Sequence, residues 1–79
     1  MILLHKLVMN TNILDLHGIR HSEVDRLVEN FVLMEQPPLT IICGNSDKMI
    51  DLVRTSLDRI YDNHNIGWQV WNHNTFKIL

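Results

Sequence analysis

Cationic side chains are scarce in this chain: seven lysines and arginines stand against nine aspartates and glutamates, a formal net charge of −2. A broad electrostatic grip on nucleic acid is excluded, because such binding rests on lysine and arginine neutralising phosphates. Any contact with nucleic acid must be local. The sequence offers two clusters for it, His17, Arg20 and His21, and further on Lys48 with Arg54. Cysteine occurs once, so no intrachain disulfide can form, which fits a reducing compartment such as the cytoplasm. Cys43 itself lies in an apolar run and reads as packed. Long hydrophobic runs are also missing. The stretch from Met1 to Met9 is too short to span a bilayer and no small-residue cleavage site comes after it, so it reads as an N-terminal arm over 1–11, with no membrane contact. No repeat, linker or low-complexity tract divides the remainder of the chain, and 12–79 reads as one domain.

Hydrophobic periodicity fills that domain. A first strand spans roughly Asn12 to Leu16. A helix follows from about Ser22, which can cap it, with Glu23 and Asp25 in the first turn where negative charge suits the helix dipole. Val24, Leu27, Val28, Phe31 and Val32 fall at i, i+3, i+4, i+7 and i+8 and make one apolar stripe. Pro37 and Pro38 stop this helix by removing donors and restricting the residue before them. Leu39 to Cys43 is a nearly unbroken β-prone run suited to a central strand. Gly44-Asn45-Ser46-Asp47 then makes a turn with capping candidates, and a second helix runs from about Lys48 to Asn63 with Met49, Leu52, Val53, Leu57, Ile60 and Tyr61 as its stripe. Trp68–Trp71 and Thr75–Leu79 read as two strands joined by Asn72-His73-Asn74, where asparagine tolerates the left-handed conformation of tight hairpins. The two tryptophans have opposite parity, which places one in the core and leaves the other partly exposed.

The order βαβαββ, with right-handed crossovers, predicts an α/β two-layer sandwich: a four-stranded mixed sheet with both helices on one face. The carboxyl ends of the first three strands then share a rim, where open α/β sheets place their ligands. Leu14-Asp15-Leu16-His17-Gly18 occupies that rim. Residues two apart on a strand project from the same face, so Asp15 and His17 lie side by side while Leu14 and Leu16 point the other way. His17, Arg20, Asn45, Ser46, Lys48 and His73 are expected to face one site. Both helix N-termini open there, and their N–H groups favour an anion such as phosphate.

These residues resemble the Smr (small MutS-related) domain family. Leu14-Asp15-Leu16-His17-Gly18, followed by Glu23-Val24 and Phe31, looks like that family's opening motif and first helix. Ile41-Ile42-Cys43-Gly44-Asn45-Ser46 stands where the family has apolar residues and then a His/Thr-Gly-x-Gly turn. The resemblance covers Ile13 to Leu79. It implies a fold similar to the C-terminal domain of bacterial translation initiation factor three, with the last strand inserted between the second and third. It also implies binding of DNA or RNA, endonuclease activity in several members, Asp15 and His17 as the residues needed for cleavage, and the Gly44 turn as a backbone contact to nucleic acid. The chain departs from the pattern at three places. Cys43 replaces the usual His or Thr, Ser46 replaces the second glycine, and Asn72-His73-Asn74 replaces a glycine-rich turn before the last strand.

For phosphodiester cleavage His17 serves as general acid or base, with Asp15 fixing its tautomer or favouring its charged form; alternatively, Asp15 ligates a divalent cation such as magnesium. The plainer reading of the same residues is a carboxylate that caps local backbone groups and an imidazole in a polar corner. His17 and His21 are four residues apart, but His17 precedes a glycine turn and His21 lies at a helix start, so helical i, i+4 spacing does not apply and no zinc site is expected. Gly44-Asn45-Ser46-Asp47-Lys48 lacks the two-glycine spacing of a phosphate-binding Walker loop. The expected contacts to nucleic acid are therefore Gly18, Arg20, His21, Gly44, Asn45, Ser46, Lys48 and His73. Two rival readings are a binding module without catalysis and a protein-interaction or homo-oligomerisation module built on the N-terminal arm and the tryptophans.

Overall fold

Six elements succeed one another in the expected order: β1 (Ile13–Asp15), α1 (His21–Met34), β2 (Leu39–Ile42), α2 (Asp47–His64), β3 (Trp68–Asn72) and β4 (Thr75–Ile78). The computed structural model describes residues 12–79, so the expected arm over 1–11 lies outside the described residues. β1 and β2 pair in parallel, with Leu14 opposite Ile41. β4 then inserts antiparallel between β2 and β3, giving the order β1-β2-β4-β3. β3 therefore runs parallel to β2 without touching it.

Paired residues share a face of the sheet. Leu14, Leu16, Leu39, Ile41, Phe76 and Ile78 are buried on one side, against Val24, Val28 and Phe31 of α1 and Val53, Leu57 and Ile60 of α2. One core thus lies between the sheet and both helices, and truncating a residue such as Phe31 to alanine costs about 3–5 kcal/mol. The opposite face, with Ile13, Thr40, Ile42, Thr75 and Lys77, is covered by neither helix, and its side chains stay partly or fully exposed.

Several local expectations are corrected. Helix α1 begins at His21 with Arg20 at the N-cap position and no side-chain cap, so Ser22 sits inside the first turn. Asp25 does not serve the dipole of its own helix: its Oδ1 accepts from Ser56 Oγ and Arg59 Nη2, each at 2.7 Å, across the helix–helix contact. Those two donors, Ser56 first, hold its carboxyl below the usual carboxylate range. Tyr61 is half exposed, whereas Ser56 is buried. A helix advances about 100° per residue, and Met49, Val53, Leu57 and Ile60 centre the buried stripe on a line nearer Ser56 than Tyr61. The hairpin uses no left-handed asparagine. Asn72 Oδ1 instead accepts the Asn74 N–H at 3.1 Å, and a bulge between Val70 and Asn72 supplies the twist that a primed turn otherwise provides. Among the described residues the left-handed asparagine is Asn65, at the C-cap of α2.

Candidate functional site

Strand β1 ends with its ladder still engaged: the Leu16 N–H donates to Ile42 O at 2.9 Å, which pins Leu16 in the core. Gly18, at φ +77°, then turns the chain toward α1, and the Ile19 N–H donates back to Leu16 O. Alternation does the rest. With Leu14 and Leu16 facing inward, Asp15 and His17 emerge together on the open side.

Their contact is close. Asp15 Oδ1 accepts the backbone N–H of His17 at 3.0 Å and lies 2.6 Å from His17 Nδ1. These two bonds, the backbone one first, hold the Asp15 carboxyl below the usual carboxylate range. A carboxylate only accepts, so Nδ1 carries the proton and Nε2 of the neutral ring carries the lone pair. The pair faces solvent, with side-chain exposures of 65% for His17 and 48% for Asp15.

The Cδ2–Nε2 side of the ring lies against the second motif. Gly44 comes after β2 with φ +77°, and a Cβ built there would stand 3.0 Å from both Nε2 and Cδ2 of His17. The imidazole therefore rests on the glycine and buries it. Glycine is needed at 44 for the left-handed backbone and again for the room that the ring occupies. Gly18 differs: nothing lies within 4 Å of its virtual Cβ, so only its backbone angle demands glycine.

From Gly44 the chain enters α2. Ser46 is its N-cap, with Oγ accepting the Met49 N–H at 3.1 Å, so this hydroxyl has a structural task. Asn45 and Lys48 beside it are exposed. On the other side of the dyad, Arg20 and His21 are exposed at the start of α1, whose end no side chain caps. The hairpin closes the rim from a third direction, because the Cys43 N–H donates to Asn74 O at 2.8 Å. That link runs through the backbone of Asn74, and His73 itself is exposed in the turn. Gly18 follows His17 and Gly44 lies against its ring, while Arg20, His21, Asn45, Ser46, Lys48 and His73 stand on the adjoining segments.

The second cationic cluster does not form. Lys48 and Arg54 lie six residues apart on α2, on different faces. The Arg54 guanidinium instead sits 5.9 Å from the Trp68 ring centroid and 5.8 Å from that of Phe76, and those two rings meet edge to face at 5.6 Å. Trp68 packs against the core and Trp71 is 62% exposed, as their parity requires. Cys43 is buried, and desolvation pushes its thiol up to about 11, which removes it from nucleophilic chemistry. Among the described residues no group of three or more His, Cys, Asp or Glu is placed to hold a metal ion. Asp15 Oδ2 carries none of the bonds to His17 and is the atom a cation would take. No helix of the described residues is long and apolar enough to cross a membrane.

Two arrangements escaped sequence reasoning: the seating of the imidazole on Gly44, and a set on the open sheet face in which Lys77 joins Thr40 to Trp71. The second joins β2, β4 and β3, and strand parity alone does not say which strands are neighbours. Comparison with family models, curated proteins and solved structures returns no match.

Proposed function

We propose that this chain is an Smr-like nucleic-acid-binding domain that cleaves a phosphodiester with Asp15 and His17. The observation that carries the reading is the seating of His17: Asp15 Oδ1 engages Nδ1, which leaves Nε2 for proton transfer, and the Cδ2–Nε2 side of the ring lies beside the Gly44 turn. The strand order β1-β2-β4-β3, which the resemblance implied, supports it as well.

In this reading the phosphate lies over the Gly44–Asn45 turn, between Arg20 and the two helix N-termini. His17 Nε2 takes the proton from the attacking hydroxyl, of water or of a ribose 2′-OH, as that oxygen bonds to phosphorus. The bond to the leaving oxygen breaks, and the proton is returned to it. Asp15 stabilises the imidazolium formed between the two transfers. A divalent cation on Asp15 Oδ2 is the alternative arrangement, and it makes cleavage depend on magnesium.

The test is incubation with labelled single-stranded, duplex and branched DNA and RNA, with magnesium or with a chelator. Cleavage by the wild-type protein is expected, and His17→Ala should abolish it while leaving retarded complexes in place. Asp15→Asn should slow it, since general acid–base groups are worth roughly 10²–10⁴ in rate. An intact substrate throughout that panel refutes the catalytic reading, and the lack of any retarded complex refutes the binding reading.

A further inference from the structure

We propose that the open face of the sheet is the platform for unpaired bases, and that Trp71 stacks the base lying a few nucleotides from the phosphate at His17. The inference rests on the nucleic-acid reading above and narrows its substrate to single strands.

The indole is presented by three linked features. First, Trp71 follows Val70, which pairs with Phe76 of the core side, so alternation turns the indole to the open face, and the bulge brings Asn72, opposite Thr75, to that face as well. Second, the Lys77 ammonium lies 5.0 Å from the centroid of the Trp71 ring. Third, Lys77 Nζ donates to Thr40 Oγ1 at 3.0 Å. Thr40 opposes Lys77 across β2 and β4, so this ammonium is anchored over the uncovered face of the sheet. An ammonium under one face of the indole holds the ring in place and polarises it. Trp71 is nevertheless 62% exposed.

Position relates this ring to the dyad. Asp15 pairs with Ile42, Ile42 with Thr75, and Thr75 with Asn72, so one row crosses all four strands from the dyad to the residue beside Trp71. Three interstrand spacings make that row about 14 Å long. A single strand lying along it reaches Trp71 with a base while its backbone passes His17. Row and face carry Lys77 as their cation and Asp15, paired with His17, as their carboxylate. With a chain charge of −2, affinity must come from stacking more than from phosphate neutralisation. Bases inside a duplex are already stacked on their neighbours and present no free face to the indole, so the platform takes unpaired bases. A second copy of the chain meeting at Trp71 is the rival occupant.

The experiment uses His17→Ala protein, so that substrate persists, with and without Trp71→Ala or Trp71→Phe. Binding of a fluorescein-labelled single-stranded oligonucleotide is followed by anisotropy, and that of the duplex in parallel. Expected is a roughly ten-fold or larger loss of single-strand affinity with Trp71→Ala, a smaller loss with Trp71→Phe, and no change for duplex. An abasic site scanned along the oligonucleotide should weaken binding to the Trp71-containing protein at one position only. Circular dichroism and the remaining Trp68 emission report folding of the variants. Single-strand affinity unchanged by Trp71→Ala overturns the proposal. So does a dimer that dissociates with Trp71→Ala while single-strand affinity holds, which makes Trp71 a subunit contact. Wild-type protein that binds through Trp71 without cleaving defeats the catalytic reading alone.

Discussion

Gly44→Ala separates what a left-handed backbone costs from what the imidazole needs. Both Gly18 and Gly44 sit at φ +77°, and either one replaced by alanine must meet the left-handed penalty of about 1–2 kcal/mol. For a domain of this size each kcal/mol lowers the melting temperature by roughly 4–8 °C. The variants diverge in space: alanine at 18 meets nothing within 4 Å, whereas at 44 its methyl stands 3.0 Å from Nε2 and Cδ2 of His17. Something must give there, and the ring is the softer neighbour because its side chain is 65% exposed. Swinging outward, it leaves Asp15 and costs little further stability, since an exposed hydrogen-bonded pair is worth roughly 0–1 kcal/mol. Thermal melts should therefore place the two variants within a few degrees of each other. Imidazole NMR should differ sharply, with the Nδ1–H signal of the Asp15 bond retained in Gly18→Ala and lost in Gly44→Ala. Cleavage should track the NMR and not the melts. An Nδ1–H signal that survives in Gly44→Ala would show that the imidazole is not held as described and would refute the reasoning.

The helix–helix link offers a second measurement. Asp25→Ala strands the buried Ser56 hydroxyl at a cost of about 1–3 kcal/mol, and the double variant Asp25→Ala/Ser56→Ala should recover part of it in urea unfolding; strictly additive losses exclude the coupling. The lowered Asp25 carboxyl also sets a sign in pH. Its contribution is present above the unfolded-state value of about 3.9 and is lost as pH falls through the lower folded value, so Asp25→Asn should flatten the acid limb of stability against pH and leave neutral pH dependence unaltered. Cys43, with its thiol at about 11, should resist an aromatic disulfide reagent at pH 8 and be labelled only at the rate of unfolding; prompt labelling of folded protein counts against its burial.

Much of the architecture could be read from apolar spacing alone. Val24, Val28, Phe31 and Val32 are all buried as their helical period requires, because a stripe that wide has one way to leave water. Strand parity pairs Asp15 with His17, and the period of two fixes that outcome. What failed was local and energetically shallow. Ser22 lost the cap position to a helix starting at His21, and Tyr61 lost the stripe to a polar Ser56. In each case the alternatives differ by about 1 kcal/mol of capping or by one step around a helix, too little for sequence to separate. Lys48 and Arg54 looked like a cluster only because their numbers are close.

Composition and periodicity determined the element order, the single core, the inward leucines at 14 and 16, and the exposure of an acid and an imidazole at the end of the first strand. These come from chain-local rules, in which each residue's face is set by its neighbours in sequence. Only tertiary structure decided that the imidazole rests on Gly44, that Ser56 reaches Asp25, and that Lys77 reaches Thr40 across the open face. Each of those joins residues far apart in the chain, and their meeting depends on how the whole sheet and both helices settle around one core.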